Sequence, residues 1–151
     1  MEKKLRISDK KMQLKQISVF LPNKPGQLAN FFEYLMDNKI YIRSVTVAET
    51  EDYGLILLLV DHFDKCIKLI EDREYLHSVT EVVAVKLTNN ISQLYEIAKT
   101  LGNNNVNIEY LYTFAEKSSN VNTVAVLRLD DNENGIKVLN QNGFTVVESF
   151  N

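Results

Sequence analysis

The chain has 151 residues, 45% of them apolar and 25% charged, and its 17 Lys and Arg against 20 Asp and Glu leave a net charge of −3. So much Leu, Ile, Val and Phe excludes disorder as the general state, and the charge balance excludes a basic nucleic-acid footprint. One cysteine, Cys66, excludes an intramolecular disulfide and a cysteine zinc cage. No apolar run reaches the roughly 18 residues needed to span a membrane. The N-terminal MEKKLRISDKKMQ is charged and lacks the apolar core of a secretory signal, which with the lone thiol points to the cytoplasm.

Residues 1–13 read as a charged extension. From Leu14 the pattern is definite. Ile17, Val19 and Leu21 alternate in a strand, which ends in the breakers Pro22, Pro25 and Gly26. Leu28, Phe31, Phe32, Leu35 and Met36 have the spacing of an amphipathic helix over Gln27 to Asn38. Ile40, Ile42, Val45 and Val47 suggest a second strand, its alternation broken between Ile42 and Val45. A polar turn, Glu49 to Asp52, leads to a third strand, Tyr53 to Val60. A helix is expected over Asp61 to Glu74, with Phe63, Ile67 and Ile70 on one stripe, and a long strand over Ser78 to Leu87.

The chain then repeats itself. Shifted by 66 residues, Gln27-Leu28 falls on Gln93-Leu94, Asn38 on Asn104 and Ile42 on Ile108; past a longer hairpin loop, which holds Lys117 to Asn120, the offset becomes 69 and Asp61 falls on Asp130. Val106 to Phe114 and Thr123 to Leu129 rebuild the second and third strands. Asp130 or Asp131 can cap a last helix that Asn142-Gly143 ends, and Phe144 to Phe150 closes the fold as a strand. The expected class is α+β: two tandem ferredoxin-like βαββαβ units, each an antiparallel four-stranded sheet with both helices on one face. The boundaries are an extension at 1–13, a first unit at 14–80 and a second at 81–151. No flexible spacer separates them. The unbroken apolar run Leu55 to Val60 implies that the helix-free face of that strand also packs, against the other copy or another chain, and motivates a homodimer.

The element NKPGQLA (residues 23–29) after a first strand, followed by NKIYIRSVTVAE (residues 38–49), resembles the ACT domain. With NVNIEYLYTFAE (residues 105–116) in the second copy, the chain from Leu14 to Phe150 is similar to small free-standing proteins of tandem ACT domains. That resemblance implies an ACT-like unit in each half. It also implies binding of an amino acid or related small metabolite between paired units, and a regulated enzyme as a further partner. It places the site on the loop after the first strand, the start of the first helix and the second strand: Asn23, Lys24, Pro25, Gly26, Gln27 and Leu28, with Arg43, Ser44 and Val45. The chemistry is consistent, since Gly26 lets backbone approach a ligand and N–H groups at a helix start favour a carboxylate. In the second copy Ile91-Ser92 replaces Pro-Gly. There Asn90 or Ser92 can cap the helix and offer polar groups, but close backbone approach is less assured, so binding is expected to be asymmetric. Tyr110 either packs on its strand face or walls the pocket with ring and hydroxyl.

Catalytic readings find no support. Cys66 sits mid-helix, where an inert buried thiol is expected, and His62 and His77 flank a helix about 22 Å apart at 1.5 Å per residue, too far to share a metal. The carboxylates fall in turns and caps, and no glycine-rich phosphate loop occurs, so no cofactor is expected. RNA-recognition motifs share this fold class but need stacked rings where Leu55 to Leu58 is aliphatic. The expectation is a non-catalytic regulatory or sensor protein, the alternative a ligand-independent assembly module.

Overall fold

The computed structural model describes residues 12–49, 52–88, 91–116 and 122–148. Most of the charged extension, Thr50 and Glu51 of the first polar turn, Asn90, the loop residues Lys117 to Asn120, and Ser149 and Phe150 lie outside the described residues. The elements run β1 (Gln13–Pro22), α1 (Gln27–Asp37), β2 (Ile42–Glu49), β3 (Tyr53–Val60), α2 (Phe63–Asp72) and β4 (Leu76–Leu87). Then come α3 (Ile91–Asn103), β5 (Ile108–Glu116), β6 (Asn122–Leu129), α4 (Asn132–Gln141) and β7 (Thr145–Val146). They form two tandem βαββαβ units of the α+β, ferredoxin-like kind. Among the described residues, one unit comprises Lys15–Thr80 and the other runs from Glu81 to Glu148 together with Met12 to Leu14. β4 is one unbroken strand, with its residues to Thr80 in the first unit and the rest in the second.

In the N-terminal unit the strand order is β2-β3-β1-β4. The antiparallel register pairs Ile17 with Leu58, Val19 with Ile56 and Leu21 with Gly54. Because side chains alternate faces along a strand, this register lines Ile17, Val19, Leu21, Ile56 and Leu58 along one face. Phe31 and Leu35 of α1 and Cys66 and Ile70 of α2 pack onto it. Each helical pair is four residues apart and so lies on one side of its helix. All nine side chains are 3% exposed or less, and burying a side chain of this size contributes roughly 1.5–3 kcal/mol. Leu57 and Leu59, on the other face of β3, are buried as well, which explains why this strand shows no polar alternation. A register shift between Ile42 and Ser44 accounts for the broken pattern at the start of β2.

The C-terminal unit repeats the arrangement, with β5-β6-β4 in order and β7 beside β4. Val83, Val85, Leu87, Ala125 and Leu127 lie under Ile97 and Leu101 of α3 and Ile136 and Leu139 of α4. Asp131 caps α4, its Oδ1 accepting from the Asn134 N–H at 3.1 Å. Met12 packs on this core, and Leu14 packs with Ala84, Val124 and Val147. The closing strand is shorter than the sequence suggests. It pairs only Thr145 and Val146 with β4, and after the Val147 N–H bonds the Ala84 carbonyl at 2.8 Å, the exposed Glu148 leaves the ladder.

All four helices stop in the same way. Lys39, Glu74, Asn105 and Gly143 adopt left-handed φ of 58°, 55°, 58° and 83°. The next N–H then bonds back to the helix: Ile40 to Leu35 O at 3.0 Å, Tyr75 to Ile70 O at 3.1 Å, Val106 to Leu101 O at 2.9 Å, and Phe144 to Leu139 O at 3.0 Å. This is the Schellman closure, which favours glycine at the left-handed residue. Only Gly143 meets that preference; the exposed Glu74 carries the roughly 1–2 kcal/mol cost of a left-handed L-residue. Against the lower unfolded-state entropy of Glu, Glu74→Gly is expected to stabilise the chain by about 0.5–1 kcal/mol, measured as a higher denaturant midpoint at unchanged slope.

Candidate functional site

The site is built where β1 hands the chain to α1. The Lys24 N–H bonds Pro22 O at 2.9 Å, and the Gln27 N–H bonds Lys24 O at 3.3 Å, so the loop turns sharply. Gly26 then occupies the N-cap position of α1 at φ 89°, a conformation that L side chains resist, and supplies no side-chain cap. The first helical bond is from the Asn30 N–H to Gly26 O, at 3.0 Å. The Leu28 and Ala29 N–H groups of the first turn therefore have no intrahelical acceptor, and that turn holds no acidic residue. The positive end of α1 is uncompensated by its own side chains.

Beside this helix start lies a cavity of about 90 Å³. Asn23, Lys24, Gln27 and Leu28 line it from the loop and helix, and Leu21 and Pro22 from the end of β1. Val47 closes one side from β2, and Gly54 and Ile56 form the floor from β3. Gly54 stands opposite Leu21 in the ladder, and a Cβ there would meet only Leu21 O, at 3.9 Å. The missing side chain is thus room in the cavity rather than a steric necessity. Leu28 and Val47, 36% and 51% exposed, are the apolar rim.

Of the residues expected from sequence, Asn23, Lys24, Gln27 and Leu28 meet at this cavity, and Pro25 and Gly26 complete the same loop. Val45 lies two residues before Val47 on the same side of β2. Ser44 faces the other way and is buried. Arg43 stands near the opposite end of the β2–β3 ladder, where its Nε pairs with Asp61 Oδ1 at 2.6 Å and its guanidinium lies 5.2 Å from the Tyr41 ring centroid. Gly26 acts through its backbone angle: an added Cβ would meet nothing within 4 Å, so bulk at this position strains φ rather than crowding the chain. Leu21, Pro22, Val47, Gly54 and Ile56 were not anticipated. Val47 shares the alternation of Val45, and a lone glycine inside an apolar strand marks a place where something else comes close.

A second hollow, an open cleft of about 560 Å³, lies along α1 and the start of β2. Phe32, Leu35, Met36, Ile40 and Ile42 make it almost wholly apolar, with Glu33 as the charged group at its edge.

The family model describing an ACT domain pair matches residues 12–151. The chain belongs to the ACT domain pair family. Among solved structures, a protein from Bacteroides thetaiotaomicron is 30% identical, with a TM-score of 0.83, over 90% of this chain and 92% of that one. The regulatory subunit of aspartate kinase from Thermus thermophilus shares the fold at 16% identity and a TM-score of 0.58, over 84% and 91% of the two chains. Aspartate kinase from Clostridium acetobutylicum does so at 17% identity and a TM-score of 0.53, over 85% of this chain and 33% of that one. Comparison with curated proteins yields no match.

The two ACT units differ at the loop. Gln93 is the repeat equivalent of Gln27, but its side chain turns back on the strand end. Its Oε1 accepts from the Thr88 N–H at 2.5 Å, and its Nε2 donates to Thr88 Oγ1 at 2.7 Å. Both ends of that amide are spent inside the loop. Ile91, the first residue of α3, is 81% exposed, and Ser92 is exposed beside it. Tyr110 lies on the sheet face away from α3 and α4, stacked on Tyr112 at 6.5 Å with the Arg128 guanidinium 6.0 Å from its ring centroid.

Among the described residues no group of three or more His, Cys, Asp or Glu could hold a metal ion, and no helix is long and apolar enough to cross a membrane. His62 sits at the start of α2, and His77 Nδ1 lies 3.0 Å from Tyr75 O. Cys66 is fully buried, and desolvation pushes its pKa up from 9.0 to about 11, which removes the thiolate that nucleophilic chemistry needs. Native protein at pH 8 should therefore resist iodoacetamide and react once denaturant is added. As pH rises past 9.0 the unfolded thiol loses its proton first, while the folded one holds it to about 11. Stability should fall across that interval, and Cys66→Ala should flatten that part of the profile.

Proposed function

We propose that this protein is a non-catalytic regulatory module that binds an amino acid or related small metabolite at the Asn23–Leu28 loop of its N-terminal unit and acts in the cytoplasm. One observation carries the reading: the uncapped start of α1 opens beside a small, mostly apolar cavity in an ACT domain pair. Donor N–H groups and Lys24 suit a carboxylate, and the walls suit a compact body. The Thermus thermophilus neighbour is itself a regulatory subunit of aspartate kinase, which supports an amino-acid-metabolising enzyme as the regulated partner. The self-bonded Gln93 amide supports one site per chain rather than two. A thermal-shift screen with the twenty amino acids should raise the melting temperature with at least one of them, because a ligand of the native state stabilises by mass action. Gly54→Val, which fills the cavity floor from a strand position that accepts β-branched residues, should abolish that shift while leaving the unliganded melting temperature within a few degrees. No response to any amino acid would overturn the reading.

A homodimer is the second part of the proposal. Leu57 and Leu59, on the helix-free face of β3, are buried and offer no surface for self-association. The apolar surface that supports association is the cleft along α1, where Met36 is 67% exposed. Light scattering at tens of micromolar should give the dimer mass, and Met36→Glu should move it toward the monomer; a monomer mass for the unaltered chain would count against the dimer.

A further inference from the structure

The N-terminal cavity also carries information about which amino acid it takes. We infer, resting on the binding reading above, that it selects an amino acid with a small, uncharged aliphatic side chain and rejects basic and aromatic ones.

Size is the first constraint. A water molecule takes about 30 Å³ of the liquid, so a cavity of about 90 Å³ holds three or four non-hydrogen atoms. That accommodates the side chains of alanine, valine or threonine, whereas an aromatic ring would project beyond the cavity. Nothing in the floor offers more room: Leu21 and Ile56 are 3% and 1% exposed and belong to the packed core, where enlarging the space would break contacts.

Charge is the second constraint. Among the described residues lining the cavity, Lys24 is the one ionisable group, and it is cationic; Asn23 and Gln27 are neutral. A lysine or arginine side chain entering here would bring a cation into an apolar pocket beside another cation, and the described lining residues offer no carboxylate to pair it. The same Lys24, with the Leu28 N–H group, favours the ligand's α-carboxylate at the mouth, leaving the side chain to enter between Val47 and the Gly54 floor. Apolar contact on Leu21, Val47 and Ile56 then rewards a methyl or isopropyl group.

The test is calorimetry on the full-length chain with alanine, valine, threonine, lysine, arginine and phenylalanine, repeated on Gly54→Ala. The tightest of alanine, valine and threonine should bind at least tenfold more tightly than lysine, arginine or phenylalanine. Gly54→Ala adds one methyl to the floor at an ordinary contact distance of 3.9 Å from Leu21 O, so the fold should tolerate it. This variant should move preference from valine toward alanine by several-fold. Equal or tighter binding of lysine, arginine or phenylalanine would overturn the selectivity while leaving the binding reading intact. An unchanged valine-to-alanine ratio in folded Gly54→Ala would overturn this cavity as the place of selection. No binding of any of the six, against a positive shift with some other amino acid in the wider screen, would overturn the side-chain class alone; no response anywhere would remove the binding reading with it.

Discussion

The contact on which the N-terminal unit depends is the one between the Ile17–Val19–Leu21 row of β1 and the two helices above it. Phe31 and Leu35 press α1 onto that row, and Cys66 and Ile70 do the same for α2. Once those side chains are buried, the direction of α1 is set, and its first turn comes to rest beside the end of β1. Only Asn23 to Gly26 are left to join strand to helix. Gly26, at φ 89°, makes the turn and brings no side chain to cap the helix. The open donors at the helix start and the hollow beneath them are consequences of core packing as much as of the loop itself.

The second unit shows that the same core does not enforce the same loop. Val83, Val85, Leu87, Ile97 and Leu101 hold the places of Ile17, Val19, Leu21, Phe31 and Leu35, and the helices end in the same closure. Yet with Thr88 where the first copy has Pro22, a hydroxyl and an N–H become available, and Gln93 takes both. Proline has neither group to offer, so Gln27 has no such partner at that position and remains at the cavity. Thr88 in place of Pro22 is thus one of the differences between a loop that bonds to itself and one that lines a cavity. Charge shows a similar drift at the far end of the sheets: Arg43 pairs with Asp61 in one unit, while Glu109 pairs with Arg128 in the other.

Buried and exposed apolar groups differ by what surrounds them. Cys66 occupies the position that Gly135 holds in the other unit; both sit on the buried side of their helix, so each is chosen for fit rather than for reactivity. Met36 and the cleft around it have the opposite character, since they are apolar, exposed and bordered by an edge strand whose outer backbone groups are open to pairing.

How much of this was legible without coordinates follows from how local each determinant is. The element order, the 66-residue repeat and the buried rows rest on short-range periodicity and turn chemistry, and the sequence by itself determined them; the loop Asn23 to Leu28 was an expectation that the family resemblance carried. Only the tertiary structure could decide which distant residues complete that place. Val47, Gly54 and Ile56 reach the cavity through antiparallel register, and register joins residues about thirty positions apart with no local signal. For the same reason Arg43, adjacent in sequence to candidate residues, ends at the other end of the ladder and belongs to Asp61.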